Sequence, residues 1–133
     1  MNFPTSSKSI LIIKGLIKQN KCKLSCAGYS MLPLFQPGEI INIEPLKHQM
    51  KIGDVVLYYI KEGMDYFLIL HRIHYITKKY VVVKGDNNFS FDAPIEKNCI
   101  LGMVIGCCRA QVDTIKAEKF FYDYIKGKIN EKE

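Results

Sequence analysis

Eleven residues, Tyr66–Ile76 (YFLILHRIHYI), are largely apolar on both faces when laid out as a β-strand. Alternation puts Phe67, Ile69, His71, Ile73 and Tyr75 on one side, and Tyr66, Leu68, Leu70, Arg72, His74 and Ile76 on the other. Such a strand must be covered on both sides in its middle. The rest of the chain fits a β domain built around it. From Cys22 to Cys108, short runs of β-branched and aromatic residues alternate with glycine and proline punctuation. The expected strands are Lys23–Ala27, Glu39–Glu44, Val55–Ile60, Tyr66–Ile76, Tyr80–Lys84 and Ile100–Cys107. Lys61–Asp65, with Gly63, should join two antiparallel strands, and Thr77–Lys79 should turn the next hairpin. Pro33, Pro37 and Gly38 break any continuation beyond Ala27.

Both ends read as helical. Residues 6–19 start at a capping Ser6 or Ser7. They carry Ile10, Ile13, Leu16 and Ile17 at helical spacing, with Lys14, Lys18 and Lys21 on another face. Asp113 can cap a last helix whose apolar face is Ile115, Phe121, Tyr124, Ile125 and Ile129. The expected division is a basic amphipathic helix over 1–21, a β core over 22–112 and a C-terminal helix over 113–133. The fold expected is mainly β, a partly open antiparallel barrel with a helix at each end.

A chain of 133 residues makes one domain. Hydrophobic residues at 48% and charged residues at 24% exclude disorder. No apolar run nears the ~20 residues of a bilayer span. The interrupted apolar start does not read as a signal peptide. The expected location is therefore cytoplasmic or peripheral to a membrane. The net charge of +6 raises nucleic acid as a partner. Its lysines are scattered, however, and no aromatics interleave with them as a stacking platform requires, so no nucleic acid is expected. The basic amphipathic start fits weak contact with an anionic membrane surface; packing of its apolar stripe on the domain is the alternative. The five cysteines, Cys22, Cys26, Cys99, Cys107 and Cys108, are an odd number without a CxxC pair. They read as reduced small hydrophobes. Cys22 and Cys26 have a usable metal spacing, but the vicinal pair completes no zinc pattern. No metal or cofactor is expected.

Three stretches could carry chemistry. His71 lies between isoleucines, where an imidazole needs a partner or must stay neutral. A hydrogen-bonded core histidine and a general base are both consistent with that position. In Ala27–Pro37 (AGYSMLPLFQP), Gly28 lets the backbone bend before Ser30, and Pro33 fixes the chain after it. A serine on such a turn can present its hydroxyl beside backbone N–H groups, although most turn serines only turn. In Lys84–Pro94 (KGDNNFSFDAP), Asp86 sits in a strong turn signal and Asp92 follows Ser90 by two positions. A carboxylate there could orient a histidine or cap backbone N–H groups.

Together these stretches resemble the type I signal peptidase superfamily of serine proteases, which also holds the SOS-type repressors that cleave themselves. Gly28-Tyr29-Ser30-Met31-Leu32-Pro33 resembles the nucleophile box. Gly38-Glu39 and Ile52-Gly53-Asp54-Val55-Val56 resemble the next two. Leu70-His71-Arg72-Ile73 resembles the base box. Lys84–Asn88 with Asp92 resembles the acidic box, and Leu101–Gly106 the closing glycine strand. The boxes run in the family's order through about two thirds of the chain. Most bacterial members carry lysine where His71 stands. A histidine there resembles the endoplasmic-reticulum and archaeal type, whose catalytic group is Ser-His-Asp.

The resemblance implies Ser30 as nucleophile, His71 as base and Asp92 as the orienting carboxylate. Asp86 is the second acidic candidate, holding the turn. It also implies an oxyanion donor in the backbone N–H of Ser30. Gly28 stands where some relatives have a serine donor. The chain is expected to be a catalytic core without the family's membrane span, and to trim the leader or signal segment from a small peptide or protein precursor. An inactive or self-cleaving relative that binds peptide is the alternative.

Overall fold

The computed structural model describes the backbone of residues 2–107 and 110–131. Cys108, and the side chain of Ile129 on the expected helix face, lie outside the described residues. In chain order the elements are β1 (Asn2–Thr5), α1 (Ser7–Lys18), β2 (Cys22–Ser25), β3 (Ile40–Ile43), β4 (Val55–Glu62), β5 (Asp65–Ile76), β6 (Tyr80–Lys84), β7 (Ile95–Glu96), β8 (Ile100–Val104) and α2 (Thr114–Glu131). The chain is mainly β, with a helix near each end.

The doubly apolar run 66–76 becomes β5, the middle of the main antiparallel sheet. The order is β7-β6-β5-β4-β8, and β1 also pairs with β5. β4 and β5 form a hairpin in register from Val55↔Arg72 to Glu62↔Asp65. Two strands share the opposite side of β5: β1 along residues 66–69 and β6 along 72–76. β2 and β3 make a separate two-stranded sheet, linked to β8 by a bridge between Glu44 and Met103.

The alternation in β4 and β5 sorts two cores. Leu57, Leu68 and Leu70 face a cluster with Ile10, Ile17, Cys22, Cys26, Met31, Phe35, Ile41 and Ile43, so α1, the small sheet and the Ser30 turn all seat on that side. Val56, Tyr58, Ile69 and Ile73 face the other way, toward Val81, Val83, Ile95, Ile100 and Met103. Helix α2 covers Val82 on β6 with Ala117 and Phe121.

The expected elements differ at their ends. Residues 1–21 hold the strand β1 as well as α1; a four-residue strand carries too little alternation to be read, and β7, at two residues, carries less. The last expected strand stops at Val104 rather than Cys107, where the chain turns. In α1, Ser6 is the cap, its Oγ accepting from the Ser9 N–H at 3.1 Å. Ile10 and Ile17 are buried and Ile13 is half-buried, but Leu11 and Ile12 stand exposed on the outer face. Asp113 caps α2 through Oδ1 to the Lys116 N–H at 2.9 Å.

Candidate active site

Ser30 opens the turn that follows β2. Gly28 takes φ +77, a left-handed backbone that side chains resist, and so reverses the chain just before the serine. Met31 and Phe35 then bury themselves, with the Phe35 N–H bonded to the Met31 carbonyl at 3.0 Å. The hydroxyl of Ser30 is thereby held at the edge of a buried anchor. The loop after β6 locks onto the same turn: the Asn87 N–H donates to the Ser30 carbonyl at 2.8 Å, and Asn87 Nδ2 donates to the Tyr29 carbonyl at 3.1 Å. That approach requires Gly85. A Cβ there would lie 2.6 Å from the Ser30 carbonyl oxygen and 3.0 Å from His71 Nε2.

His71 is buried, 5% exposed, in the middle of β5. Its Nε2 lies 3.2 Å from Ser30 Oγ, and its Nδ1 lies 2.5 Å from Asp92 Oδ2. An ionised carboxylate only accepts, which assigns the ring proton to Nδ1 and leaves Nε2 to accept from the serine hydroxyl. Asp92 is positioned by its own N–H, which donates to the Val83 carbonyl at 3.0 Å. Tyr58, fully buried on β4, donates from its hydroxyl to the same Oδ2 at 2.6 Å. Burial pushes the Asp92 carboxyl up, but the hydrogen bond and charge of His71, with the bond from Tyr58, outweigh it and hold it below the ordinary carboxylate value. Burial first, and then the charge of Asp92, push the Tyr58 hydroxyl well above the usual phenol range, so it remains a donor.

Asp86 sits elsewhere. It grips Arg72 with both oxygens, from Nε at 2.9 Å and from Nη2 at 2.8 Å, while Nη1 donates to the Gly53 carbonyl at 2.8 Å. Arg72 is 1% exposed. Because Arg72 follows His71 on the strand, the pair ties the loop carrying Asn87 to the far face of β5. His74 takes no part in the Ser30 cluster. It is buried beside Phe91, and its Nδ1 accepts the Asp113 N–H at 3.0 Å.

Ser30, His71 and Asp92 thus meet, and Asp86 lies behind them as an ion-pair partner. Sequence reasoning missed Tyr58 and Arg72. A lone charge in an apolar run was a signal for Arg72. Tyr58 carried none, because its distance from Asp92 depends on the β4–β5 register and on the loop path. A cleft of about 420 Å³ opens over the group, lined by Ser30, Tyr58, His71 and Asp92 and by Ile60, Ile69 and Ile95. A larger cavity, about 530 Å³, lies by Arg72 and Asp86 and is not lined by Ser30 or His71. Among the described residues, no group of three or more His, Cys, Asp or Glu could hold a metal ion. Burial pushes the Cys22 and Cys26 thiols up.

Part of the sequence has counterparts among known proteins. Catalytic subunits of the signal peptidase complex, named SEC11, are similar to this chain. That of Candida albicans (strain WO-1) is 41% identical over 63 residues, covering 44% of this chain and 37% of the relative. That of Lodderomyces elongisporus is 34% identical over 90 residues, covering 58% and 53%. That of Clavispora lusitaniae is 43% identical over 63 residues, covering 44% and 37%. The chain thus spans between roughly a third and a half of the length of these relatives. No family model matches the chain, and no solved structure matches it.

Proposed function

We propose, from its kinship with the signal-peptidase type of serine peptidases, that this chain is a serine endopeptidase that cleaves a leader or signal segment from a small peptide or protein precursor. The observation that carries the proposal is the hydrogen-bonded line from Ser30 Oγ through His71 to Asp92 at the floor of one cleft. Ser30 attacks the peptide carbonyl while His71 Nε2 takes its proton. Asp92 keeps the imidazole in the required tautomer and favours the imidazolium as it forms. His71 then gives that proton to the leaving amine as the C–N bond breaks, and it next takes a proton from a water that hydrolyses the ester left on Ser30, restoring the serine. The backbone N–H of Ser30 supplies the oxyanion donor at the head of its turn. The relatives are named as catalytic subunits, which does not favour an inactive peptide-binding module.

The proposal extends to the fold and the setting. The two sheets, joined at Glu44–Met103, form the walls of a partly open barrel. In support, residues from both edge strands, Ile95 on β7 and Met103 on β8, share one apolar cluster. No helix among the described residues is long and apolar enough to cross a membrane. We propose, as a separate expectation, that the chain works in the cytoplasm or at a membrane surface. Cleavage of leader-bearing peptides, followed by mass spectrometry, tests the activity. Ser30→Ala should keep the fold and lose about four to six orders of magnitude in rate. Full cleavage by that variant would overturn the assignment.

A further inference from the structure

The same strand register that builds the catalytic group also sets a charge at the other end of its cleft. Residues opposite one another in an antiparallel pair project to the same side. The register Val56↔His71, Tyr58↔Ile69, Ile60↔Phe67 and Glu62↔Asp65 therefore lines up Tyr58, Ile60 and Glu62 on the side that carries His71. Glu62 does line the cleft, beyond Ile60 and Ile69. Its carboxylate is exposed and makes no ion pair with any described residue. The adjacent lysine does not neutralise it from the same face. Lys61 alternates to the opposite side, where its Nζ sits 5.6 Å from the centre of the Tyr66 ring. Asp92, the other carboxylate in the cleft, already accepts from both Tyr58 and His71.

We propose that Glu62 is a specificity residue that selects a basic side chain on the substrate, at a position remote from the cut. The inference rests on the peptidase assignment above and deepens it. Glu62 is four residues along β4 from Tyr58 and six from Val56, the partner of His71. At ~3.3 Å per residue those spans are about 13 and 20 Å. An extended substrate advances at the same pitch, so its lysine or arginine lies about four to six residues from the scissile bond. The protein as a whole is positive at +6, so general attraction cannot create this preference; it must come from the local carboxylate. The intervening Ile60 and Ile69 leave the middle of the same cleft to apolar side chains.

The test uses internally quenched peptides that share one cleavage site, mapped by mass spectrometry, with Lys, Gln or Glu scanned across the positions on each side. Wild type should show higher kcat/KM for Lys than for Glu at one position four to six residues from the cut, by about three- to five-fold, the size of an exposed ion pair. The preference should shrink at high salt. Glu62→Gln should abolish it and Glu62→Lys should invert it, each read as the ratio of kcat/KM for the Lys-bearing to the Glu-bearing peptide within one variant. A preference unchanged in Glu62→Lys, or no charge preference in wild type, overturns this inference and leaves the peptidase assignment standing. Failure of wild type to cleave any peptide or to react with a serine-directed electrophile overturns the assignment, and this inference with it.

Discussion

At Asp92, one oxygen accepts from two side chains, the Tyr58 hydroxyl and His71 Nδ1. Both bonds strengthen the charged form, and the carboxyl is held below its ordinary value despite its burial. Asp92→Asn keeps the shape but can leave the histidine in the wrong tautomer, so kcat should fall by about 10⁴ with the fold retained. The sign of the stability effect follows from the lowered value. A carboxylate whose folded pKa is depressed stabilises fully above its unfolded pKa, about 3.9, and loses that stabilisation as pH falls through the folded value. Urea unfolding of wild type and Asp92→Asn should therefore differ at neutral pH and converge in strong acid; a gap that stays constant with pH would contradict the role. Arg72 and Asp86 act at the same scale by a different route. Their bidentate pair is buried, and removing one partner strands the other. Asp86→Ala should cost about 3–5 kcal/mol in unfolding free energy. A loss near zero would show that the loop needs no such tie.

Helix α2 is joined to β5 through His74. The Asp113 N–H donates to His74 Nδ1 where the helix begins, and Phe91 lies between His74 and Phe120 of the helix. Phe91 precedes Asp92, so the docked helix also supports the loop that carries the carboxylate. Burial, with the charges of Lys84 and Arg72, lowers the His74 pKa against the opposing pull of Asp86 and Asp113. The unfolded chain then takes up a proton below about pH 6.5 that the folded chain resists, and stability falls as pH drops through that range. Thermal melts from pH 7.5 to 5 should show this fall in wild type and a shallower one in His74→Phe; equal slopes would remove His74 as the cause. At the other end, α1 seats Ile10 and Ile17 in the core and leaves Leu11 and Ile12 outward. A membrane contact made by this helix would run through Leu11, Ile12 and the neighbouring lysines. Co-sedimentation with anionic vesicles should appear at low salt, fade at high salt and be lost in Leu11→Ser/Ile12→Ser, which spares the buried face. Binding unaffected by that double change would place the contact elsewhere.

Across the whole molecule, what could be read from sequence follows from how local each signal is. Ser30, His71 and Asp92 stood out because each lies in its own short, ordered box. Their meeting is a property of chain topology: 41 residues separate the serine from the histidine, and 21 separate the histidine from the carboxylate. The double-faced run at Tyr66–Ile76 showed that β5 would be central, since no edge strand needs both faces apolar. Tyr58 and Glu62 were invisible as site residues because only the β4–β5 register brings them to the cleft. The exposed Leu11 and Ile12 were missed for a related reason. The run Ile10–Ile13 puts apolar residues on more than one face of the helix, so spacing alone does not announce which of them the domain will cover. Strands β1 and β7 were too short to carry a period. The central claim is that this topology makes Ser30 an activated nucleophile. The most direct measurement is labelling of the folded chain with a serine-reactive peptide electrophile, the adduct mapped by mass spectrometry. One adduct at Ser30, lost in Ser30→Ala and strongly slowed in His71→Ala, is the predicted result. No adduct on the folded wild type, or one that forms equally well without His71, would contradict it.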